Sequence, residues 1–197
     1  VSIEVVDEDT GRVGASHLTL SLDSQGQAHL AYLVGGVDSP DNGGFDSLLR
    51  YVDEASDWSS QTVDRAAISC AGLCEGNELC ADHGTHSECT AESSDCGTSC
   101  SDEEVCVTGT CLPLLEPPTA VDIAEGTGLF AQLFHLSDDS MVLAYYDRSA
   151  GDLEVATSTG TGFVPAGAHD DASLDTGLWV SGAVDGGDDV HLAFQDA

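Results

Sequence analysis

One strand–turn–strand pattern occurs three times in this chain, and it limits the fold more than any other feature. The copies lie at residues 17–32, 129–145 and 178–194. Each is an alternation of apolar and polar residues, a short cluster of Asp, Ser and Gly, and a second alternating run. The second run ends on Leu30-Ala31-Tyr32, Leu143-Ala144-Tyr145 or Leu192-Ala193-Phe194. Alternation with period two places every other side chain on one buried face, which is the strand signature. Two such runs joined by turn-forming residues read as a hairpin. Further strand-like runs follow the first copy at 47–52 and 57–64, and the second copy at 152–157 and 162–168. The unit is therefore four short antiparallel strands, expected around 17–64 and 127–170, and the chain is expected to be all-β.

The spacing of the copies is uneven. From Ala144 to Ala193 is 49 residues, and from Ala31 to Ala144 is 113, an excess of 64. Val63-Asp64 and Val121-Asp122 read as two copies of one repeat position, so the segment between them is an insertion in a connection between units. Pro113, Pro117 and Pro118 stiffen its exit. Three regions follow: strand units in 1–65, a cysteine-rich insertion in 66–119, and strand units in 120–197 that end mid-unit. Residues 1–9 match the last strand of a unit.

Four-stranded units recurring every ~40–50 residues are the pattern of propeller blades. Residues 23–32, Asp-Ser-Gln-Gly-Gln-Ala-His-Leu-Ala-Tyr, and the later Asp152-Leu-Glu-Val-Ala156 resemble blades of secreted bacterial β-propellers of the sialidase-like and lectin-like kinds. The resemblance covers about residues 1–65 and 120–197. It implies about two and a half antiparallel four-stranded propeller-type blades, interrupted by a disulfide-rich, loop-dominated insertion. The Ser-x-Asp-x-Gly-x-Thr-Trp turn of sialidase-type blades does not occur. Propellers close with four to eight blades, so further blades are expected from the same polypeptide or another chain. The start at Val1 and the mid-unit end lead us to expect a segment of a longer protein.

All eight cysteines lie between positions 70 and 111. The spacing Cys70-x3-Cys74-x5-Cys80-x8-Cys89 is followed by Cys96-x3-Cys100-x5-Cys106-x4-Cys111. Two tandem four-cysteine modules with two bridges each are expected. Three pairings are open within a module, and first-to-third with second-to-fourth is the one we expect. Zinc is the rival reading, because spacing of three occurs twice and His83 and His86 stand nearby. Disulfides are preferred: the segment carries nine acids, no base and little to bury, so it needs covalent closure. An oxidising compartment follows, whether extracellular, cell-surface or periplasmic.

Charge excludes several function classes. There are 36 acidic residues against 4 basic ones, a formal net charge of −32. A nucleic-acid binder needs a basic footprint, and an anionic membrane would repel this chain. No stretch approaches ~18 apolar residues, so no membrane insertion is expected. The acids, 24 Asp and 12 Glu, are spread along the whole chain. That spread reads as solvation for salty surroundings, where screening relieves self-repulsion.

Candidate chemistry is sparse. Asp38, Asp41, Asn42 and Asp46 pack oxygen ligands and glycines into one loop, which makes calcium the expected metal if any is held. His29 and His191 share a repeat position with Val142, so they are read as structural. His17, His83, His86, His135 and His169 show no pairing at metal-ligand spacing. No nucleophile elbow, P-loop or dinucleotide fingerprint occurs, and no catalytic residue is expected. The expected function is an extracellular or cell-surface binding or structural module, with protein or glycan as partner. The alternative is a polysaccharide-acting propeller hydrolase with its catalytic residues mostly outside this chain.

Overall fold

A computed structural model describes residue 7 and residues 11–41, 43–97, 99–117, 125–159, 162–169 and 175–196. The described residues are strands, turns and loops, with no helix. Strands β1 (Gly14–Leu22), β2 (Ala28–Asp38), β3 (Phe45–Asp53) and β4 (Gln61–Ile68) form a four-stranded antiparallel meander in chain order. Within the insertion, β5 (Glu78–Asp82) pairs with β6 (Ser87–Ala91), and β7 (Glu104–Val107) pairs with β8 (Thr110–Pro113). A second meander comprises β9 (Thr127–His135), β10 (Met141–Asp147), β11 (Asp152–Thr159) and β12 (Gly162–His169). The hairpin β13 (Thr176–Val184) and β14 (Val190–Asp196) follows. Among the described residues the sheets do not close into a ring. The expected strand at residues 1–9 and the pair Val121-Asp122 fall, apart from Asp7, outside the described residues.

The three units repeat in detail. In each, the first strand carries a bulge against the second: between Ser16 and Thr19, between Leu129 and Gln132, and between Leu178 and Ser181. A bulge of this kind bends a strand and raises its twist. The bulged residues His17, Phe130 and Trp179 have φ of 50°, 54° and 58°, a region bulky residues seldom enter. Their rings form a column, His17 to Phe130 at 5.1 Å and Phe130 to Trp179 at 4.4 Å. The Phe130 N–H donates to His17 Nδ1 at 3.1 Å. So β1 lies along β9, and β9 along β13. Gly177 (φ 106°) precedes the last bulge, and a Cβ there would stand 2.8 Å from the Leu153 Cα.

Alternation decides which faces pack. Ala31, Leu49 and Tyr51 of the first sheet bury against Ala131, Leu133, Leu143 and Tyr145 of the second. One unit on, Phe134, Ala144 and Leu153 of the second sheet meet Val180, Val184, Leu192 and Phe194 of the third. The middle sheet is thus covered on both faces. The corresponding back face of the first sheet carries Leu18, Leu20 and Leu22 at 56–60% exposure.

Polar contacts repeat with the same offset. The turn residue Ser24 donates through its N–H and hydroxyl to Asp139 at 3.2 and 2.9 Å. Ser137, one unit later, donates in the same way to Asp188, with the N–H at 2.9 Å. The Tyr145 hydroxyl donates to Asp64 of β4 at 3.0 Å, and Thr127 Oγ1 donates to the same carboxylate at 2.7 Å. The matching Tyr32 hydroxyl donates to Asp7 at 2.6 Å, and Arg50 closes on that carboxylate at 2.6 Å.

The insertion is built on its bridges. Cys70 joins Cys80, Cys74 joins Cys89, Cys96 joins Cys106 and Cys100 joins Cys111, with Cα separations of 5.3–5.8 Å. In each module the first cysteine meets the third and the second meets the fourth. Phe45 of β3 shares a small core with Cys70 and Cys80. Arg12 lies over the Phe45 ring at 4.5 Å and donates to the Leu73 carbonyl at 3.1 Å, docking the insertion on the first sheet. Four bridges of this kind point to an oxidising, extracellular-type compartment.

Two sets of carboxylates act on stability with opposite signs. Burial raises the pKa of Asp147 and Glu154, and the neighbouring Asp64 adds to both shifts. A raised carboxyl contributes stability below its unfolded value and loses it as pH rises through the folded one. In the turns, Asp138 is held low by the Ser140 hydroxyl and N–H, and Asp185 by His191 and the N–H groups of Gly187 and Asp189. These contribute at neutral pH and stop contributing as pH falls through their folded values. Glu154→Gln is therefore expected to stabilise the fold at pH 7 by less than about 1 kcal/mol, with the gain vanishing toward pH 4. Urea melts of both proteins at the two pH values check this; an equal gain at both would remove the electrostatic account.

Candidate binding cleft

The cleft opens between the first two sheets, at the start of β2 and the end of β3. His29 lies opposite Asp53 in the β2–β3 register. Its ring is buried, with Nδ1 2.7 Å from the Tyr51 hydroxyl and Nε2 3.6 Å from Asp23. Burial pushes the Tyr51 phenol well above its ordinary pKa, and the charges of Asp53 and Asp23 push the same way. Tyr51 therefore stays protonated. Burial works against ionisation of Asp23, but the N–H groups of Gln27 and Gln25, together with His29, outweigh it and hold that carboxyl low.

The rim is a tight turn from β3 into β4. Asp53 accepts from the Ser56 N–H at 2.7 Å through its carboxylate and from the Trp58 N–H at 3.0 Å through its carbonyl. Asp57 and Trp58 both take left-handed φ, 55° and 60°. Such strain persists where surrounding contacts over-determine it, and it clusters at functional sites. Across the cleft, the Gln61 side chain accepts from the Phe163 N–H at 3.1 Å and donates to the Phe163 carbonyl at 3.3 Å. That amide ties the two sheets together as a strand would. Gly162 is needed beside it, because a Cβ there would stand 2.1 Å from Gln61 Oε1.

The result is a cavity of about 500 Å3 lined by His29, Tyr51, Asp53, Gln61, Ser158 and Phe163, with further hydroxyls at Ser56, Ser59, Ser60 and Thr159. Two aromatic rings, 4.8 Å apart and edge to face, close its inner side. Carboxylate, amide and hydroxyls converge on one opening beside the buried His29 imidazole. Glycoside hydrolysis needs two carboxyl groups flanking the bond. Among the described residues lining this cleft, Asp53 is the one carboxylate.

The residues singled out in the sequence fall elsewhere. Asp38 is exposed and lies 3.6 Å from Arg12. Asp46 is buried and accepts from Arg65 at 2.8 Å. Both carboxylates face arginines of the protein, Asp41 is exposed, and Asn42 lies outside the described residues. His191 is exposed and 3.1 Å from Asp185, so its repeat partner His29 differs from it in burial and in lining the cleft. The serines and Gln61 gave no signal in the sequence, because they are common turn and strand residues. Compared with protein-family models, with curated proteins and with solved structures, the chain matches none.

Proposed function

We propose that this chain is an extracellular or cell-surface binding module, its sheets consecutive blades of a larger β-propeller and its cleft a ligand groove. The observation that carries the reading is the repeated construction of successive units. All three have the same bulged first strand, the first two share the tyrosine-to-aspartate contact, and the same serine-to-aspartate contact joins the first turn to the second and the second to the third. First strands lying side by side, with sheets stacked face to face, are how propeller blades are arranged. Asp7 gives the first sheet the carboxylate that Asp64 gives the second, as the last strand of a preceding blade would. Leu18, Leu20 and Leu22 then form the face that a preceding blade covers.

Glycan is the ligand class that the cleft chemistry favours. A hydroxyl-rich ligand can accept from Gln61 and the serines and donate to Asp53. The test is a glycan array probed with the oxidised protein and with Asp53→Ala. Binding of an oligosaccharide by the parent, and at least about tenfold weaker binding by the variant, is the expected result. Binding that is unchanged in the variant, or no binding across neutral and acidic glycans, would overturn the ligand assignment.

A further inference from the structure

The β5–β6 hairpin brings together three metal-ligating side chains: His83 and His86, which the sequence offers beside the cysteines, and Glu88, which it does not single out. His83 and His86 flank a two-residue turn, Gly84-Thr85, closed by the His83 N–H donating to the His86 carbonyl at 2.9 Å. Gly84 takes φ +81° at the first turn position, where this tight hairpin turn requires glycine. Residues facing each other across the end of a hairpin share a face, and so do residues two apart on one strand. His83, His86 and Glu88 therefore stand on one side. The two imidazoles are parallel, 5° apart in plane and 4.9 Å between centroids. One ligand atom from each of the three residues lies within 4.8 Å of the other two.

A second observation concerns His83 Nε2. It is buried and makes no hydrogen bond, although Glu88 Oε1 is only 3.1 Å away. Nitrogen and oxygen are close but not aligned as donor and acceptor. A cation between them would use both. Bridges at both strands pin the hairpin, since the paired residues Cys80 and Cys89 are tied to Cys70 and Cys74. The three side chains thus start from a fixed frame, which lowers the ordering cost of binding.

We propose that His83, His86 and Glu88 form a binding site for a divalent transition ion of the zinc class. Two imidazoles and one carboxylate suit zinc and its neighbours rather than calcium or magnesium, which take oxygen ligands. Ligand atoms ~2 Å from a tetrahedral ion stand roughly 3.3 Å apart, so side-chain rotations of about 1 Å close the set. Three protein ligands leave a fourth position for water or for a group on a partner. The site is separate from the cleft and from the bridged cysteines.

The experiment is calorimetric titration of the oxidised full chain with ZnCl2, with excess MgCl2 present to occupy carboxylates. Free thiols are counted before and after. One equivalent should bind, and His83→Ala and His86→Ala should each weaken it by at least about tenfold. His191→Ala, at an exposed histidine outside the hairpin, should leave it unchanged. Circular dichroism and an absence of thiols show that the variants keep their fold. Zinc affinity unchanged in both hairpin variants, zinc binding that appears only with free thiols, or no binding at all would each overturn the site.

Discussion

Leu133→Ala should cost about 2–5 kcal/mol of folding stability, whereas Leu20→Ala should cost less than about 0.5 kcal/mol in this chain. The two leucines occupy one repeat position on the first strands of consecutive units. Leu133 is 7% exposed because the first sheet covers it through Ala31, Leu49 and Tyr51. Leu20 is 56% exposed because no described residue covers that face to the same extent. The same truncation then removes the same methyls from two different environments, one leaving a cavity and one not. Urea unfolding of both variants reads the difference directly. Equal costs would mean that the back face of the first sheet is covered in solution. A negligible cost for Leu133 would mean that the sheets do not pack as described.

Replacing Cys70 and Cys80 together with alanine should cost about 3–5 kcal/mol, and the loss should reach the first sheet. The bridge closes a short loop at a sequence separation of 10, which chain entropy alone values at about 3 kcal/mol. Both residues also share with Phe45 a core that holds the insertion against β3. By contrast, Cys100→Ala with Cys111→Ala removes a bridge at a separation of 11, between partly buried residues outside that core. That variant should fray locally near the second hairpin while the main thermal transition keeps its midpoint. Thermal melts followed by circular dichroism, with limited proteolysis to place the first cuts, separate the two cases. A Cys70/Cys80 variant that melts like the parent would show that the insertion contributes nothing to the sheet beneath it.

The strands were legible because they follow the plainest physical rule. Alternation is forced by a face that must be buried, so 17–32, 129–145 and 178–194 announced themselves, and sheets over 14–68 and 127–169 lie close to the spans that the sequence suggested. Tandem cysteine spacing likewise exposed two small modules. The cleft was hidden for a different reason. His29 was judged by its repeat position, where Val142 also stands, but position in a repeat does not fix burial when only some units are covered. The turn contacts between Ser24 and Asp139 or Ser137 and Asp188 could not be picked out among 24 aspartates. The bulged column of His17, Phe130 and Trp179 was blurred because Gly-Leu-aromatic in two units is Ala15-Ser16-His17 in the first. His83 and His86 looked unpaired because three residues of separation has no meaning until a turn folds the chain back.

The serine-to-aspartate contact between turns has a polarity. In the first turn Gly26 stands at the position of the accepting aspartate, and in the third Gly186 stands at that of the donating serine. Each middle link reads forward only: a serine gives, and the next unit's aspartate takes. The first unit can give but not take, and the third can take but not give. Neighbours therefore meet head to tail, and in a reversed order the first and third turns could neither give nor take as they do here. A rule written entirely between adjacent turns survives duplication of the middle unit, because its turn alone carries both the giving Ser137 and the taking Asp139.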